Sequence, residues 1–245
     1  MADENKYPVS NKRYILQVSE SETPGVQLVR LTPQDGIPFN FDAGMFVMIY
    51  GMDKTTGERL VGRALSIASE PNASYLEFFV VKEHDNHVSY FTITKPGDNY
   101  DVIGPHGQFK LVPGSNDKVL FIAGGTGLAP FMSMLRHLRK INAKDDVILL
   151  YSVRYPAEII RRAELEELVN SINLKMCVTV TRPQPGDGWT GQTGHIDSNV
   201  ILKYAPDVLE RVSYICGPLN FVKAIKDALG MLRVPLEEIK ADVWG

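Results

Sequence analysis

Val119-Leu120-Phe121-Ile122-Ala123-Gly124-Gly125-Thr126-Gly127-Leu128-Ala129-Pro130 is the stretch that decides the fold. Its first five residues are an apolar run of strand length. The glycines form a turn, and Phe131 to Ile141 follows with an amphipathic helical pattern. Strand, glycine turn and helix together present backbone N–H groups and a positive helix end to a pyrophosphate. Pro130 stands where a G-x-G-x-x-G pattern has its third glycine. Proline suits the first helical turn, where its missing N–H removes no intrahelical bond. Glycine also favours an ordinary strand-to-helix turn, so the stretch gains meaning only from its surroundings.

Downstream of Lys118 the chain alternates β and α patterns. Strands are expected at 119–123, 147–151, 175–181 and 212–216, and helices at 130–141, 161–171 and 218–232, with a weaker one at 197–203. That alternation argues for a parallel sheet with right-handed crossovers. Ligands of such sheets sit beyond the carboxyl ends of the strands. The segments there are Gly124–Pro130, Ser152-Val153-Arg154, Thr181-Arg182 and Cys216-Gly217-Pro218.

Upstream, residues 7 to about 110 read as strands: Tyr14–Ser19, Val26–Leu31, Phe46–Tyr50, Leu65–Ala68, Tyr75–Lys82 and Tyr100–Ile103. Turn residues separate them, as at Thr23-Pro24-Gly25, Gln34-Asp35-Gly36, Thr56-Gly57 and Lys95-Pro96-Gly97-Asp98. Short strands at this spacing suggest a sandwich or barrel. A short helix is expected within Val88 to Thr94, and Leu111 to Asp117 reads as a linker. The expected domains are therefore 1–113, all β, and 114–245, α/β.

The 245 residues are 44% hydrophobic, which supports packed cores rather than disorder. A net charge of -3 announces no nucleic-acid face. No apolar run approaches a membrane span, and the polar start Met1-Ala2-Asp3-Glu4-Asn5-Lys6 lacks a signal-peptide core. The two cysteines, Cys177 and Cys216, cannot alone build a four-thiolate iron–sulfur or zinc site. A cytoplasmic, thiol-containing protein is expected. His84 and His87 have ligand-like spacing but no partner cysteines, and no metal is expected. His106 and His195 read as turn or surface residues. Cys177 reads as a core residue.

The order Arg63-Ala64-Leu65-Ser66, Gly97-Asp98, Gly104-Pro105-His106-Gly107-Gln108-Phe109, Gly124–Pro130 and Cys216-Gly217-Pro218 resembles the ferredoxin–NADP(+) reductase superfamily. The resemblance runs from about Tyr14 to Trp244. It implies an antiparallel six-stranded FAD-binding barrel followed by a parallel-sheet, Rossmann-like NAD(P)-binding domain. It also implies a role for each matching residue. Arg63 pairs with the flavin pyrophosphate, for which a planar guanidinium is suited. Ser66 hydrogen-bonds near the reacting edge of the flavin. Leu65 departs from the pattern, which has an aromatic residue there to pack on the ring; leucine offers cover without aromatic stacking. Val88 and Ser89 occupy the place of a second pyrophosphate contact through backbone N–H groups, without the usual glycine. Gly125, Thr126, Gly127 and Pro130 match the loop for the NAD(P) pyrophosphate. Cys216, Gly217 and Pro218 match the segment beside the nicotinamide, where the cysteine positions the ring and is not a covalent nucleophile. Trp244 matches a C-terminal aromatic that covers the flavin face; the alternative is a tryptophan that anchors the last strand.

Thr181-Arg182 resembles the family's Ser-Arg signature for the 2′-phosphate of NADPH, with Arg154 as the next candidate; NADH remains possible. The implied function is an FAD enzyme that exchanges a hydride with NAD(P)H and single electrons with a ferredoxin- or flavodoxin-like carrier. Two alternatives stand beside it: the reductase component of an oxygenase or larger redox complex, and a nucleotide-binding regulatory module without turnover.

Overall fold

The computed structural model describes residues 6–53, 55–84, 87–88, 94–112 and 117–244, of which residues 83, 84, 87, 88 and 244 are described by their backbone. The chain divides into two compact units. One is Met1–Leu111 with Met132–His137, and the other is Val112–Phe131 with Leu138–Gly245.

In the first unit, β1 (Ser10–Thr23), β2 (Val26–Pro33), β3 (Phe46–Gly51), β4 (Arg63–Ser66), β5 (Leu76–Val81) and β8 (Asn99–His106) form one antiparallel sheet. The strand order is β4-β3-β8-β1-β2-β5. Two residues beyond β4, the amide of Ala68 donates to the carbonyl of Glu77 in β5 at 2.8 Å. That bond draws the two ends of the sheet together into a near-barrel. Side chains one apart in a strand point to opposite faces. Tyr14 and Leu16, Val29 and Leu31, Val47 and Ile49, Leu76, Phe78 and Val80, and Tyr100 and Val102 therefore meet inside as one apolar cluster. A short hairpin, β6 (Glu83–His84) with β7 (His87–Val88), lies apart from this sheet. Val88 is thus extended, and the rest of the helix expected from Val88 to Thr94 lies outside the described residues save Thr94 itself.

The second unit is a six-stranded parallel sheet. It comprises β9 (Lys118–Gly124), β10 (Asp146–Val153), β11 (Leu174–Val180), β12 (Gln192–Thr193), β13 (Val212–Pro218) and β14 (Ile239–Trp244). Helices α1 (Leu128–Lys140), α2 (Arg162–Ser171), α3 (Ser198–Tyr204) and α4 (Leu219–Met231) connect them. Val119 to Ala123 in β9 are at most 1% exposed. Burial on both faces is why that strand is apolar without alternation. The order β12-β11-β10-β9-β13-β14 reverses direction at β9, so the carboxyl ends of β9 and β13 flank a topological switch point. At the opposite end, Arg211 binds β9, β10 and β13 together. Its guanidinium reaches the Val119 carbonyl at 3.3 Å, the Asp146 carbonyl and carboxylate at 2.9 Å each, and Asp207 at 2.7 Å. No helix among the described residues is long and apolar enough to cross a membrane.

Candidate flavin and nicotinamide-nucleotide sites

Strand β4 carries the first group of residues. It pairs with β3 in the register Ile49↔Arg63, Val47↔Leu65 and Phe46↔Ser66. Gly62, just before it, lies flat on the Tyr50 ring; a Cβ there would stand 2.3 Å from Tyr50 Cε1. Ala64 is exposed, and Leu65 packs against the apolar cluster of the barrel. The side chains of Arg63 and Ser66 make no hydrogen bond or ion pair among the described residues. A guanidinium and a hydroxyl on one short strand are thus left with binding capacity unspent, a donor set that fits a diphosphate and a polar ring edge. The backbone of Val88 pairs with Glu83, and Ser89 lies outside the described residues.

The glycine loop carries the second group. Gly125 has φ +56°, a conformation glycine adopts without strain, and opens a 3-10 turn, Gly125–Gly127, that runs directly into α1. Pro130 is the third residue of α1, and no acidic side chain stands in the first turn to offset its positive end. A Cβ on Gly127 would fall 2.3 Å from the Cys216 carbonyl oxygen. Gly124 and Gly217 likewise face Phe221, where a Cβ would lie 2.9 Å and 2.7 Å from Cδ1. The ends of β9 and β13 therefore approach backbone to backbone, and the loop stays open for a ligand's phosphates.

Cys216 has no exposed surface, and burial, aided by the charge of Asp242, pushes its thiol well above its ordinary value. A protonated, enclosed thiol positions neighbours and does not attack them. Asp242 is a residue that motif reading missed. It stands opposite Cys216 in the β13–β14 register, and burial raises its carboxyl from 3.8. The available signal was an acid in a terminal segment with β-like alternation, Ile239, Ala241 and Val243. Trp244 ends β14 opposite Pro218.

The third group lies at the carboxyl ends of β10 and β11. The amides of Thr181 and Arg182 donate to the carbonyls of Val153 and Arg154, each at 2.9 Å. The ladder thus extends beyond both strands and sets Arg154 beside Arg182. Thr181 Oγ1 is 3.3 Å from the Val153 carbonyl. Arg182 is exposed and its guanidinium has no partner among the described residues. Arg154 is bound by Glu158, with Nη2 to Oε1 at 2.7 Å and Nε to Oε2 at 3.2 Å. The following loop is fixed by Trp189, which folds over Gly191 and donates from Nε1 to the Gln192 carbonyl at 2.9 Å.

The fold that carries these groups has known relatives. The oxidoreductase NAD-binding domain family matches residues 121–227. The glycine betaine monooxygenase reductase subunit of Pseudomonas aeruginosa (strain UCBPP-PA14) is 31% identical over 233 residues, which are 90% of this chain and 61% of that protein. The chain therefore spans only 61% of that relative's length. Ferredoxin–NADP reductase B of Sorangium cellulosum (strain So ce56) is also 31% identical over 233 residues, covering 90% of this chain and 92% of that protein. Among solved structures, the ferredoxin reductase in carbazole 1,9a-dioxygenase matches with a TM-score of 0.83 at 25% identity, over 98% of this chain and 71% of that one. An antiparallel near-barrel, a parallel sheet with a glycine loop at its switch point and a near full-length relative together place the chain in one family: it belongs to the ferredoxin–NADP reductase family of FAD- and NAD(P)-binding oxidoreductases.

Proposed function

We propose that this protein is an FAD-containing reductase that takes a hydride from NADPH and delivers single electrons to a separate redox protein of an oxygenase system. When bound, FAD supplies the chemistry that joins these steps, accepting two electrons together and releasing them one at a time. The observation that carries the reading is that one chain holds both an unspent donor set on β4 and an open glycine loop at the switch point of its parallel sheet. Similarity to a monooxygenase reductase subunit over 90% of the chain supports the oxygenase setting. A second reading, exchange of electrons with a ferredoxin- or flavodoxin-like carrier, is supported by the 92% coverage of the Sorangium reductase.

The residues divide the work. Arg63 holds the flavin diphosphate, with backbone N–H groups of Val88 and Ser89 as further donors. Ala64 is the exposed residue on the flavin side of β4, Leu65 backs the strand from the barrel's apolar cluster, and Ser66 offers its hydroxyl to the ring edge. Gly125, Thr126, Gly127 and Pro130 bring backbone N–H groups and the α1 terminus to the coenzyme pyrophosphate. Cys216, Gly217 and Pro218 form the wall against which the nicotinamide is oriented, which is how a protein adds rate when cofactors carry the chemistry. Trp244, the C-terminal aromatic, would cover the flavin and would have to give way for hydride transfer. Thr181 and Arg182 hold the 2′-phosphate.

The test has two parts. Heat-released flavin from the purified protein is identified, and the reduced protein is offered an oxygenase component, a ferredoxin and a flavodoxin. FAD with rapid electron transfer to the oxygenase component is the expected result. FMN alone, or no flavin after reconstitution, overturns the reading; transfer to ferredoxin or flavodoxin alone selects the second one.

A further inference from the structure

Beyond the residues already assigned, one side chain stands where coenzyme choice is made. Glu158 closes a 3-10 turn, Pro156–Glu158, directly after β10. Its carboxylate collects three donors from one residue: Arg154 Nη2 at 2.7 Å, Arg154 Nε at 3.2 Å and the Arg154 amide at 3.2 Å. The neighbouring guanidinium of Arg182, one ladder step away, is not engaged among the described residues. Two arginines are therefore joined at the backbone at the carboxyl ends of β10 and β11, one tied back by an acid and one with no partner among the described residues.

We propose that Glu158 is a specificity-determining residue that selects between NADH and NADPH by exchanging its hold on Arg154. This rests on the coenzyme reading of the β10–β11 edge given above. The physical basis is a competition. The Arg154 side chain is 61% exposed and that of Glu158 20%, so the pair is open to solvent on the arginine side, and such an ion pair is weak enough for a better anion to displace. A phosphate monoester, more highly charged than a carboxylate and richer in acceptor oxygens, is such an anion. With NADPH, the 2′-phosphate draws Arg154 from Glu158 and is held between Arg154 and Arg182. With NADH, no anion displaces the acid. The carboxylate stays on Arg154 and its remaining lone pair accepts from the ribose 2′-hydroxyl, the task an acid performs near the end of the second strand in NAD sites. The same carboxylate opposes the 2′-phosphate by charge and favours the 2′-hydroxyl by hydrogen bonding. The selector therefore moderates the preference that Arg182 alone would impose.

The experiment uses the full-length holoprotein and two probes, 2′-AMP and 5′-AMP, whose dissociation constants are measured by calorimetry. Glu158→Gln keeps an acceptor for the Arg154 amide and removes the charge. It is expected to tighten 2′-AMP about fivefold, the change that releasing one exposed ion pair permits, and to weaken 5′-AMP, which carries the free ribose 2′-hydroxyl. The gain is expected to vanish in Glu158→Gln/Arg154→Ala. In turnover, Glu158→Gln lowers KM for NADPH and raises KM for NADH. An unchanged 2′-AMP affinity in Glu158→Gln, or a gain that persists without Arg154, overturns the selector while leaving Arg182 as the phosphate ligand. Equal affinities for 2′-AMP and 5′-AMP in the parent, unaltered by Arg182→Ala, overturn the coenzyme reading and the selector with it.

Discussion

Arg136 Nη1 stands 2.7 Å from Glu77 Oε1, and the pair is buried: Glu77 has no exposed side-chain surface and Arg136 keeps 5%. Met132–His137 of α1 belong to the barrel unit, and this pair shows why. Arg30 Nε holds the other oxygen of Glu77 at 2.7 Å, and Arg136 Nη1 also donates to the Ala68 carbonyl at 2.8 Å. Ser133 Oγ donates to the Ser69 carbonyl at 2.7 Å. The corner that follows β4 is thus held by side chains of α1. Glu77→Ala removes the carboxylate from two guanidinium groups, one of them buried. Breaking a buried pair from one side costs about 3–5 kcal/mol. Urea unfolding of the variant should show a loss of that order; a loss below about 1 kcal/mol, the worth of a surface pair, contradicts the role.

Asp207 gives the parallel sheet an acid-sensitive anchor. Its hydrogen bond from Arg211, then that from Lys118, lowers its carboxyl from 3.8 to about 2. The folded state therefore keeps this group ionised where the unfolded chain protonates it. Its contribution to stability is complete above 3.8 and is lost as pH falls toward 2. Asp207→Asn should lower stability at neutral pH and flatten its decline across that acid window. An equally steep decline in the variant would assign acid unfolding to other carboxylates.

Asp242 works in the opposite direction. Burial raises its carboxyl above 3.8, so the folded state binds the proton more tightly than the unfolded chain does. Ionising it costs stability, and the cost grows as pH rises from 3.8 through the raised value. Asp242→Asn should be more stable than the parent at neutral pH, with the difference closing in acid. If Cys216 lines the nicotinamide as proposed, flavin reduction by NADPH should nevertheless slow, because Asp242 stands opposite Cys216 in the β13–β14 register. A variant that is both no more stable and equally fast removes Asp242 from the site.

Arg63→Ala tests the flavin strand. A charge-assisted hydrogen bond is worth about 1.5–3 kcal/mol, so flavin affinity should fall by at least tenfold. Flavin occupancy equal to the parent after dilution and gel filtration would make Arg63 a surface residue of the barrel.

Much of this architecture is legible in the sequence because burial leaves a periodic mark. Tyr14 with Leu16 and Val47 with Ile49 alternate for one buried face, while Val119–Ala123 is apolar throughout for two. Other features leave no such mark. The strand expected at Leu65–Ala68 lies at Arg63–Ser66, because Ile67 and Ala68, apolar as they are, turn a corner and bond to Met45 and Glu77. β12 has only two residues, too few for any pattern. Glu77 looks like a solvent-facing acid in a strand, since its partners Arg30 and Arg136 lie 47 and 59 residues away. Glu158 gave no signal either; its meaning comes from the turn that sets it on Arg154.

Anaerobic stopped-flow mixing of the purified holoprotein with NADPH, and separately with NADH, tests the central claim most directly. FAD reduction should follow both coenzymes, with NADPH giving the larger second-order rate constant and Arg182→Ala slowing NADPH selectively. A flavin band left unbleached by either coenzyme would contradict the assignment of this chain as a nicotinamide-dependent flavin reductase.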